Sequence, residues 1–308
     1  MATVGLIGLG RMGGNMARRW RQHGVNVIAF NRNHSVTETL AAECGVIAAN
    51  SIAQLVQQLP APRIVWLMLP AGAVTQQHID SVLPLLSAGD VLVDGANSYF
   101  KDSLARAENI HNNSAVQYVD AGVSGGVWGL QNGYCIMAGG RAEAIKTITP
   151  LLQTLAPAAD RGWLHTGKTG SGHFTKMVHN GIEYGMMQAL SEGFSLLKAR
   201  DDFQLDLAAI AELWRHSSVV RSWLLDLCGD FLQHDQQLDN IAPFVADSGE
   251  GRWTALEAIE QGVPAPVMSL ALMMRFASQG NNDFSDKMLA KMRAGFGGHA
   301  VTHNSAKK

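Results

Sequence analysis

The sequence predicts an α/β chain in which a doubly wound parallel sheet is followed by an all-helical domain. In the first half, short apolar runs alternate with helical patterns, and continuous runs of this kind are typical of strands covered on both faces. In the second half, Met, Ala, Leu and Gln dominate and the β-branched runs vanish. We therefore expect a sheet domain over residues 1–168 and an all-helical domain over residues 169–308.

The predicted strands are the apolar runs of the first half. They are Val4–Leu9, Val25–Phe30, Ile64–Leu69, Val91–Val93 and Val116–Val119, with Tyr134–Met137 and Trp163–His165 extending the same sheet. The helical patterns span Met12–His23, Val74–Leu86, Phe194–Leu197, Leu205–Trp214 and Met268–Phe276. Pro264 and Pro266 predict a turn between two of the later helices.

Composition and charge exclude several classes of function. Of 308 residues, 47% are hydrophobic and 16% charged, which indicates a globular chain, and the net charge of −2 gives no reason to expect nucleic acid. No apolar run reaches the ~20 residues that span a membrane, and the N-terminus lacks the basic region of an export signal. Three scattered cysteines, Cys44, Cys135 and Cys228, are typical of reduced thiols. We expect a cytoplasmic protein without a membrane partner.

No Cys or His spacing resembles a structural zinc site, so we expect no bound metal. His299 and His303 are four residues apart, but without further ligands this pair is more typical of a polar tail.

A glycine-rich turn follows the first predicted strand. Gly8-Leu9-Gly10-Arg11-Met12-Gly13 separates that strand from the first helical pattern. In this context the glycines permit a tight turn and let a pyrophosphate approach the N-terminus of a helix. The motif therefore predicts a Rossmann-type dinucleotide-binding domain.

The end of the second strand predicts which dinucleotide binds. NAD-selective sites usually place an acidic residue here, whereas this chain has Asn31 and Arg32. A guanidinium would attract the 2′-phosphate of NADP, so we expect NADP, with NAD as the alternative cofactor. The expected cofactor contacts are Gly8, Gly10, Met12, Gly13, Asn31, Arg32, Asn33, Leu69, Pro70 and Asn97.

The run Lys176–Gly185 predicts a catalytic helix face. In a helix, Lys176, His179, Asn180 and Glu183 lie on one face, with the lysine and glutamate about 10 Å apart along the axis. Such a pair is most often a solvated surface, but the flanking residues are apolar and indicate a largely buried helix. Buried amine and carboxyl groups need partners or a chemical role, and here they are typical of a base and an acid.

Two further segments follow predicted strands, at the edge where doubly wound sheets bind ligands. They are Asp-Gly-Ala-Asn-Ser at 94–98 and Asp-Ala-Gly-Val-Ser-Gly-Gly at 120–126. Either segment alone is more often an ordinary turn, but both offer small hydroxyl or amide groups beside glycines that suit a hydroxylated anion.

Together with Arg-Ala-Gly-Phe-Gly-Gly-His at 293–299, these motifs resemble those of a known family. The chain resembles decarboxylating 6-phosphogluconate dehydrogenase, and more narrowly its short bacterial form, from the first strand to His299. The wider 3-hydroxyacid dehydrogenase superfamily has the glycine turn, Ser-Gly-Gly and a lysine, but not the His-Asn-Gly-Ile-Glu-Tyr run. The resemblance implies oxidation of 6-phospho-D-gluconate to D-ribulose 5-phosphate and carbon dioxide in the pentose phosphate pathway, with reduction of NADP.

The resemblance also implies roles for individual residues. Lys176 matches the general base that takes the proton of the C3 hydroxyl, and Glu183 matches the acid that protonates C1 of the enediol. The implied substrate contacts are Asn97, Ser124, Gly125, Gly126, His179 and Asn180, and the implied phosphate contacts are Tyr184, Arg275, Arg293 and His299. In the family, the last two reach a partner subunit's site, so we expect a homo-oligomer.

The chain departs from the family's long form at one loop. Ser248 and Glu250 stand where the long form has lysine and threonine in its phosphate loop, so a carboxylate there could oppose phosphate binding. Two alternatives therefore stay open: a dehydrogenase of a small unphosphorylated 3-hydroxy acid, and a non-catalytic dinucleotide sensor. The cluster of Arg275, Arg293 and His299 favours a phosphorylated substrate, and the pair of Lys176 and Glu183 favours an enzyme.

Overall fold

The computed structural model describes residues 2–297 and 300–302, and the chain divides into two compact units, Met1–His179 and Asn180–Lys308. The first unit contains an eight-stranded sheet with helices, and the described part of the second unit has helices and no named strand. The predicted fold class is thereby confirmed. The point of division along the chain falls within the helix Ser171–Lys198. The domain boundary expected after residue 168, just before this helix, stays a prediction.

Eight strands form the sheet of the first unit. They are β1 Thr3–Ile7, β2 Asn26–Phe30, β3 Ile47–Ala48, β4 Ile64–Leu67, β5 Val91–Asp94, β6 Gln117–Ser124, β7 Cys135–Gly140 and β8 Trp163–Gly167. Their spatial order is β3-β2-β1-β4-β5-β6-β7-β8, so β1 and β4 are neighbours although they are not consecutive. This reversal of strand order creates a crevice at the carboxyl ends of the strands, where doubly wound sheets bind ligands.

Helices connect the strands and continue beyond them. In the first part of the chain they are α1 Arg11–Gln22, α2 His34–Cys44, α3 Ile52–Gln57, α4 Ala73–Val82, α5 Phe100–Asn113, α6 Gly129–Asn132, α7 Ala142–Leu155 and α8 Ser171–Lys198. They are followed by α9 Leu207–Arg215, α10 Trp223–Leu232, α11 Glu250–Glu260, α12 Pro266–Ser278 and α13 Asp283–Gly297. The turn expected at Pro264 and Pro266 is confirmed, because Pro266 begins α12.

The central strands, such as β4 and β5, are buried on both faces, as the continuous apolar runs predict. One face forms a core with α1 and α7, in which the Trp20 and Trp66 rings meet edge to face at 5.4 Å and the Trp20 indole donates to the Leu151 carbonyl. Side chains that point to the opposite face of the same strands, such as Val65 and Leu92, belong to a second core. This double burial fixes the sheet as the rigid platform of the first unit.

Three expectations from the sequence were incomplete or wrong. The sheet is not wholly parallel, because β6 and β7 pair antiparallel: residues 125–134 between them are too short for a parallel crossover. The two-residue strand β3 was not predicted, since so short a strand has no periodicity. Helix α8 is not buried along its length, because Ile182, Met186 and Met187 are 51%, 42% and 38% exposed.

The start of α8 packs directly against backbone atoms of the sheet. A Cβ atom on Gly172 would collide with the carbonyl oxygen of Asp120, and it would lie 2.5 Å from the carbonyl oxygen of Met137 and 2.8 Å from the amide nitrogen of Gly139. These neighbours are backbone atoms of β6 and β7, so they cannot rotate away. Only glycine allows the helix to begin this close to the strands.

We expect Gly172→Ala to destabilise the first unit by about 3 kcal/mol, because overpacking against backbone forces the helix to move. Gly193→Ala is the matched control in the same helix, since a Cβ atom there meets no atom within 4 Å. The control should gain about 0.5–1 kcal/mol from helix propensity. Thermal unfolding of both variants measures the difference, and equal shifts of the same sign would contradict the close-packing argument.

Candidate active site

The glycine turn lies at the carboxyl end of β1, beside the end of β4. Gly8 has φ +98°, and a Cβ atom there would collide with the Met68 carbonyl oxygen. A Cβ atom on Gly13 would collide with the Gly8 carbonyl oxygen, whereas one on Gly10 would meet no atom within 4 Å. Gly8 and Gly13 thus shape the turn, and the space in front of Gly10 stays open to a ligand.

The N-terminus of α1 suits a dinucleotide pyrophosphate. Gly10 is the N-cap residue of α1. Because glycine has no side chain, no capping hydrogen bond occupies the first backbone N–H groups of the helix. A cavity of about 310 Å³ lies against this turn and is lined by Gly10, Arg11, Ser35 and Thr39 among others. The residues present therefore fit a nicotinamide dinucleotide.

The other expected cofactor residues surround the same strand ends. Asn31 follows β2, and its Oδ1 accepts a hydrogen bond from the Leu9 amide at 3.1 Å. Arg32 is exposed, whereas the Asn33 side chain caps α2 by accepting from the Ser35 amide at 3.2 Å. Asn31 and Asn33 thus shape the loop with their side chains, while Arg32 faces solvent.

Leu69, Pro70 and Met12 complete the expected cofactor set. Leu69 follows β4, with Cδ2 2.9 Å from the position of a Cβ atom on Gly8. The Pro70 carbonyl accepts a hydrogen bond from the Thr75 hydroxyl at 2.8 Å. Met12 packs against the core on the α1 face of the sheet, so this residue supports the turn from behind.

Asn97 is exposed on the loop after β5, and this loop is held by a buried carboxylate. Asp94, at the end of β5, is fully buried and pairs with the Arg106 guanidinium at 2.8 Å. Its Oδ1 accepts from the Ala96 amide at 3.1 Å, and its Oδ2 accepts from the Ser98 hydroxyl at 3.1 Å. Ser98 therefore serves the loop rather than a ligand, which the pattern of small polar residues did not indicate.

Lys176 is held against the carboxyl end of β6. A Cβ atom on Gly122 would collide with the Lys176 Cβ and lie 3.0 Å from its Cγ, so the lysine stem rests on the strand at this glycine. Ser124, two residues further along β6, points to the same face of the sheet. Partial burial raises the pKa of the Cys135 thiol, and the Lys176 charge opposes that rise; Cys135 is the register partner of Ser124. The structure thus brings Lys176 to the Ser-Gly-Gly segment.

Ser124 ends β6, and Gly125 and Gly126 follow it with φ of +125° and +53°. Such positive φ values favour glycine, and they turn the chain sharply beside the lysine. Gly126 is exposed, and a Cβ atom there would meet no atom within 4 Å.

Asp120 fixes the direction of α8 from within the sheet. It is fully buried on β6, and its two carboxylate oxygens accept from the amides of Gly170 at 2.6 Å and His173 at 2.9 Å. A carboxylate at a helix N-terminus is stabilised by the helix dipole as well as by these bonds. The sequence predicted a ligand site at this segment and missed the capping role, because the partners are about 50 residues away.

The predicted catalytic residues share one face of α8. The helix is continuous from Ser171 to Lys198, so Lys176, His179, Asn180 and Glu183 lie along a single stripe, about 10 Å from lysine to glutamate. Lys176 is 9% exposed, and the other three are half-buried. The predicted one-sided arrangement is thus present in the backbone.

Two predicted phosphate residues meet in the second unit. The Arg275 guanidinium lies 3.5 Å from the centroid of the Tyr184 ring, and its Nη1 donates to the Ala246 carbonyl at 2.8 Å. The Tyr184 hydroxyl is 3.2 Å from the Ser248 hydroxyl. Arg293 is exposed on α13, and His299 lies outside the described residues.

Among the described residues, no group of three or more His, Cys, Asp or Glu side chains could hold a metal ion. Within the same residues, no helix has the length and apolar character needed to cross a membrane.

Two family models match the chain along most of its length. Residues 3–167 match the NAD binding domain of 6-phosphogluconate dehydrogenase, and residues 172–304 match the 6-phosphogluconate dehydrogenase C-terminal domain. The chain belongs to the 6-phosphogluconate dehydrogenase family. The resemblance inferred from the sequence motifs is thereby confirmed.

Individual relatives agree with this assignment. The chain is 41% identical to the NAD(+)-dependent, decarboxylating 6-phosphogluconate dehydrogenase of Haloferax volcanii, over 97% of this chain and 98% of that protein. The Plasmodium falciparum 6-phosphogluconate dehydrogenase structure, described with NADP+ and with 6-phosphogluconate, has a TM-score of 0.83 at 28% identity and is covered to 67%. A 3-hydroxyisobutyrate dehydrogenase of Mycobacterium tuberculosis has the same fold, with a TM-score of 0.69 at 21% identity, covering 92% of this chain and 94% of that one.

The loop at 248–254 of this 6-phosphogluconate dehydrogenase family member has an internal hydrogen bond that the sequence did not predict. Glu250 is only 2% exposed, and its Oε2 accepts a hydrogen bond from the Ser248 hydroxyl at 2.5 Å. Arg252 pairs with Asp247 and lies over the Phe276 ring, with 4.4 Å between guanidinium carbon and centroid. The carboxylate of Glu250 is therefore turned into the fold and engaged by the Ser248 hydroxyl.

Proposed function

We propose that this chain oxidises 6-phospho-D-gluconate at C3 and decarboxylates the product to D-ribulose 5-phosphate and carbon dioxide. NADP, when bound, supplies the acceptor for the hydride that leaves C3. The observation that carries the proposal is the stripe of Lys176, His179, Asn180 and Glu183 on one face of α8, with the lysine resting on β6 beside Ser124. Membership of the 6-phosphogluconate dehydrogenase family supports the same reaction.

The two ends of the stripe carry separate proton transfers. Lys176 takes the proton of the C3 hydroxyl as hydride leaves, which gives a 3-keto acid. Carbon dioxide then leaves because the ketone accepts the electrons of the broken bond, so this step needs no metal. Glu183 protonates C1 of the resulting enediol. A separation of about 10 Å along the helix lets the two long side chains approach different carbons of one substrate.

The polar residues of the predicted substrate set suit a hydroxylated, phosphorylated acid. Asn97, Ser124 and the amides of Gly125 and Gly126 supply donors for hydroxyl and carboxylate oxygens. His179 and Asn180 lie between the acid and the base on the helix. Tyr184 and Arg275 supply a hydroxyl and a guanidinium for the phosphate, with Arg293 and His299 completing the set.

Lys176→Met and Glu183→Gln should each lower the rate of ribulose 5-phosphate formation by about 10²–10⁴-fold, because each removes one proton transfer. Lys198→Met and Glu192→Gln are matched controls on α8 and should retain the parent rate, since both side chains lie beyond the catalytic stripe. The measurement follows reduced nicotinamide and released carbon dioxide together. Wild-type protein that binds NADP but turns over nothing would instead support a dinucleotide sensor.

A second candidate substrate is a small unphosphorylated 3-hydroxy acid. The observation that favours it is the loop at 248–254, where Ser248 and Glu250 bond to each other and leave fewer cationic groups for a phosphate. Comparing 6-phosphogluconate with gluconate separates the two candidates. A higher kcat/KM for gluconate would reject the phosphorylated substrate.

We propose that NADP is preferred over NAD through Arg32. The guanidinium is exposed beside the cofactor turn, and within the described residues it makes no hydrogen bond or ion pair, so a 2′-phosphate has no competitor. Asn31 occupies the place where an acidic residue would repel that phosphate. One relative is named NAD(+)-dependent and another, of Bacillus subtilis, is named NADP(+)-dependent, so both cofactors occur among relatives of this chain.

Arg32→Ala should lower the ratio of kcat/KM for NADP to that for NAD by about 10–100-fold, the loss expected for a charge-assisted hydrogen bond. Arg161→Ala, which removes an exposed guanidinium paired with its neighbour Asp160, is the control and should leave the ratio unchanged. An unaltered ratio in the Arg32 variant would reject this source of cofactor preference.

We propose that the protein is a cytoplasmic homo-oligomer in which the tail at 293–299 contributes to a neighbour's site. The second unit leaves large apolar side chains uncovered, including Ile259, Val267 and Phe284 at 77%, 67% and 76% exposure. Cys44, Cys135 and Cys228 are free thiols, as in reducing compartments. Light scattering should give a mass of at least twice 33.1 kDa, and an active species of 33.1 kDa would contradict the shared site.

A further inference from the structure

One arginine of α1 is buried and bonds to backbone carbonyls alone in the part of the chain that the structure describes. Arg19 is 6% exposed, and all three nitrogens of its guanidinium donate to carbonyl oxygens. Burying a charged group is costly unless hydrogen bonds replace the lost water. The positions of these carbonyls therefore indicate which parts of the fold the charge holds together.

Arg19 donates to the C-terminal ends of two helices. Its Nε lies 2.9 Å from the Leu155 carbonyl oxygen, and its Nη2 lies 2.6 Å from that of Ala156, at the end of α7. Its Nη1 donates to the Leu130 carbonyl of α6 at 3.1 Å. The last carbonyls of a helix have no partner inside the helix and carry partial negative charge, so a guanidinium there is favourable. One side chain thus joins α6 and α7 to α1.

Helix α6 belongs to the substrate loop, which we define as residues 125–134, between β6 and β7. The loop begins with Gly125 and Gly126, whose amides are donors in the proposed substrate site. Val127 and Trp128 are 43% and 50% exposed, so burial of these large apolar side chains does not anchor this part of the loop. Its position therefore depends on contacts made elsewhere in the loop.

A second side chain of α1 reaches the same loop. The Asn15 side-chain amide donates to the Val127 carbonyl at 3.3 Å. Asn15 precedes Arg19 by four residues, so the two side chains lie on one face of α1. This face of the helix therefore contacts the substrate loop at two points.

The Tyr134 ring supports the loop from within. It is fully buried, and a Cβ atom on Gly129 would collide with it, while one on Gly125 would lie 3.3 Å from its Cδ1. The Tyr134 amide donates at 2.9 Å to the Leu155 carbonyl, the same oxygen that accepts from Arg19. A carbonyl oxygen has two lone pairs, so both bonds form together. Arg19 is thereby connected to the end of the loop as well as to its middle.

We propose that Arg19 is a positioning residue for substrate binding, which holds the amides of Gly125 and Gly126 in place from α1. The proposal rests on the proposed function, since it takes this loop as a substrate contact. Arg19 acts through the loop, because its own donors are occupied by carbonyls. Since α1 also begins at the glycine turn, one helix sets the substrate loop relative to the cofactor turn.

Arg19→Met removes these donors and keeps an unbranched apolar stem. We expect KM for 6-phosphogluconate to rise about 10-fold, because the loop loses charge-assisted hydrogen bonds, while KM for NADP stays within about 2-fold. Arg19→Lys keeps the charge but replaces the fork with a single ammonium, so it should restore part of the loss, with a rise of about 3-fold. A rise of both KM values by the same factor, or of neither, would overturn the proposal.

Arg21→Met is the matched control on the same helix. Arg21 also donates to backbone carbonyls, those of Val25 at 3.0 Å and Cys44 at 3.3 Å, but neither belongs to the substrate loop. Both variants should lower the melting temperature, whereas only Arg19→Met should raise KM for 6-phosphogluconate. Equal KM values for this substrate in the two variants would mean that Arg19 serves stability alone.

Amide hydrogen exchange supplies a readout that needs no turnover. The Gly133 amide donates to the Gly129 carbonyl at 3.0 Å, and the Tyr134 amide is also bonded, so the loop contains protected amides. In Arg19→Met, a peptide covering residues 126–134 should exchange about 10-fold faster than in the wild type. In Arg21→Met it should exchange at the wild-type rate. Unchanged exchange in the Arg19 variant would contradict a holding role.

The two readouts separate the role of Arg19 from the proposed function. A wild type inactive on 6-phosphogluconate would reject the proposed function, and the exchange rates would still decide whether Arg19 holds the loop. An active wild type with unchanged loop exchange in Arg19→Met would reject the positioning role alone. If Arg19→Met does not fold, Arg19→Lys is compared with Arg21→Lys in both experiments, and the same differences are expected at smaller size.

Discussion

The approach of α8 to β6 and β7 at backbone distance is the constraint on which the position of Lys176 depends. Gly172 faces the backbone of both strands, and Gly122 faces the lysine stem, so neither position has room for a side chain. Asp120 adds direction, because its buried carboxylate accepts from two amides at the start of the helix. Steric fit and charge thus determine the same helix position independently.

The same sheet edge carries the cofactor turn, and a similar physical solution recurs there. Gly8 and Gly13 allow close approach of β1, β4 and α1, while the side chain of Asn31 supports the Leu9 amide. Ordering a flexible loop when a ligand binds costs free energy. Because this turn is already held in place, that cost is lower. The glycine turn and Lys176 are therefore supported by one rigid sheet, whose two faces are both packed.

In the second unit, polar side chains are held by contacts with rings, hydroxyls and backbone carbonyls of that unit. Arg275 lies over the Tyr184 ring and bonds to a backbone carbonyl, so two contacts orient its guanidinium. Glu250 is turned inward on to Ser248, which removes a charge from the surface where the long family form has cationic and hydroxyl side chains. The contacts of Arg275 are thus kept apart from the change in the neighbouring loop.

The sequence by itself determined the fold class, the glycine turn and the one-sided arrangement of Lys176 and Glu183. These features depend on local periodicity or on contiguous motifs, which are readable without knowledge of distant partners. It also indicated the family, because several motifs had to coincide. The exposure of Met186 was mispredicted, since burial depends on which other elements of the chain cover a helix.

Only the tertiary structure decided the antiparallel pairing of β6 with β7, the capping of α8 by Asp120 and the buried contacts of Asp94 and His173. Strand direction follows from the path of the connection, which an apolar run does not encode. The partners of a buried carboxylate or imidazole come from elements far apart in the chain. Their identity is therefore set by packing geometry, and no local pattern could supply it.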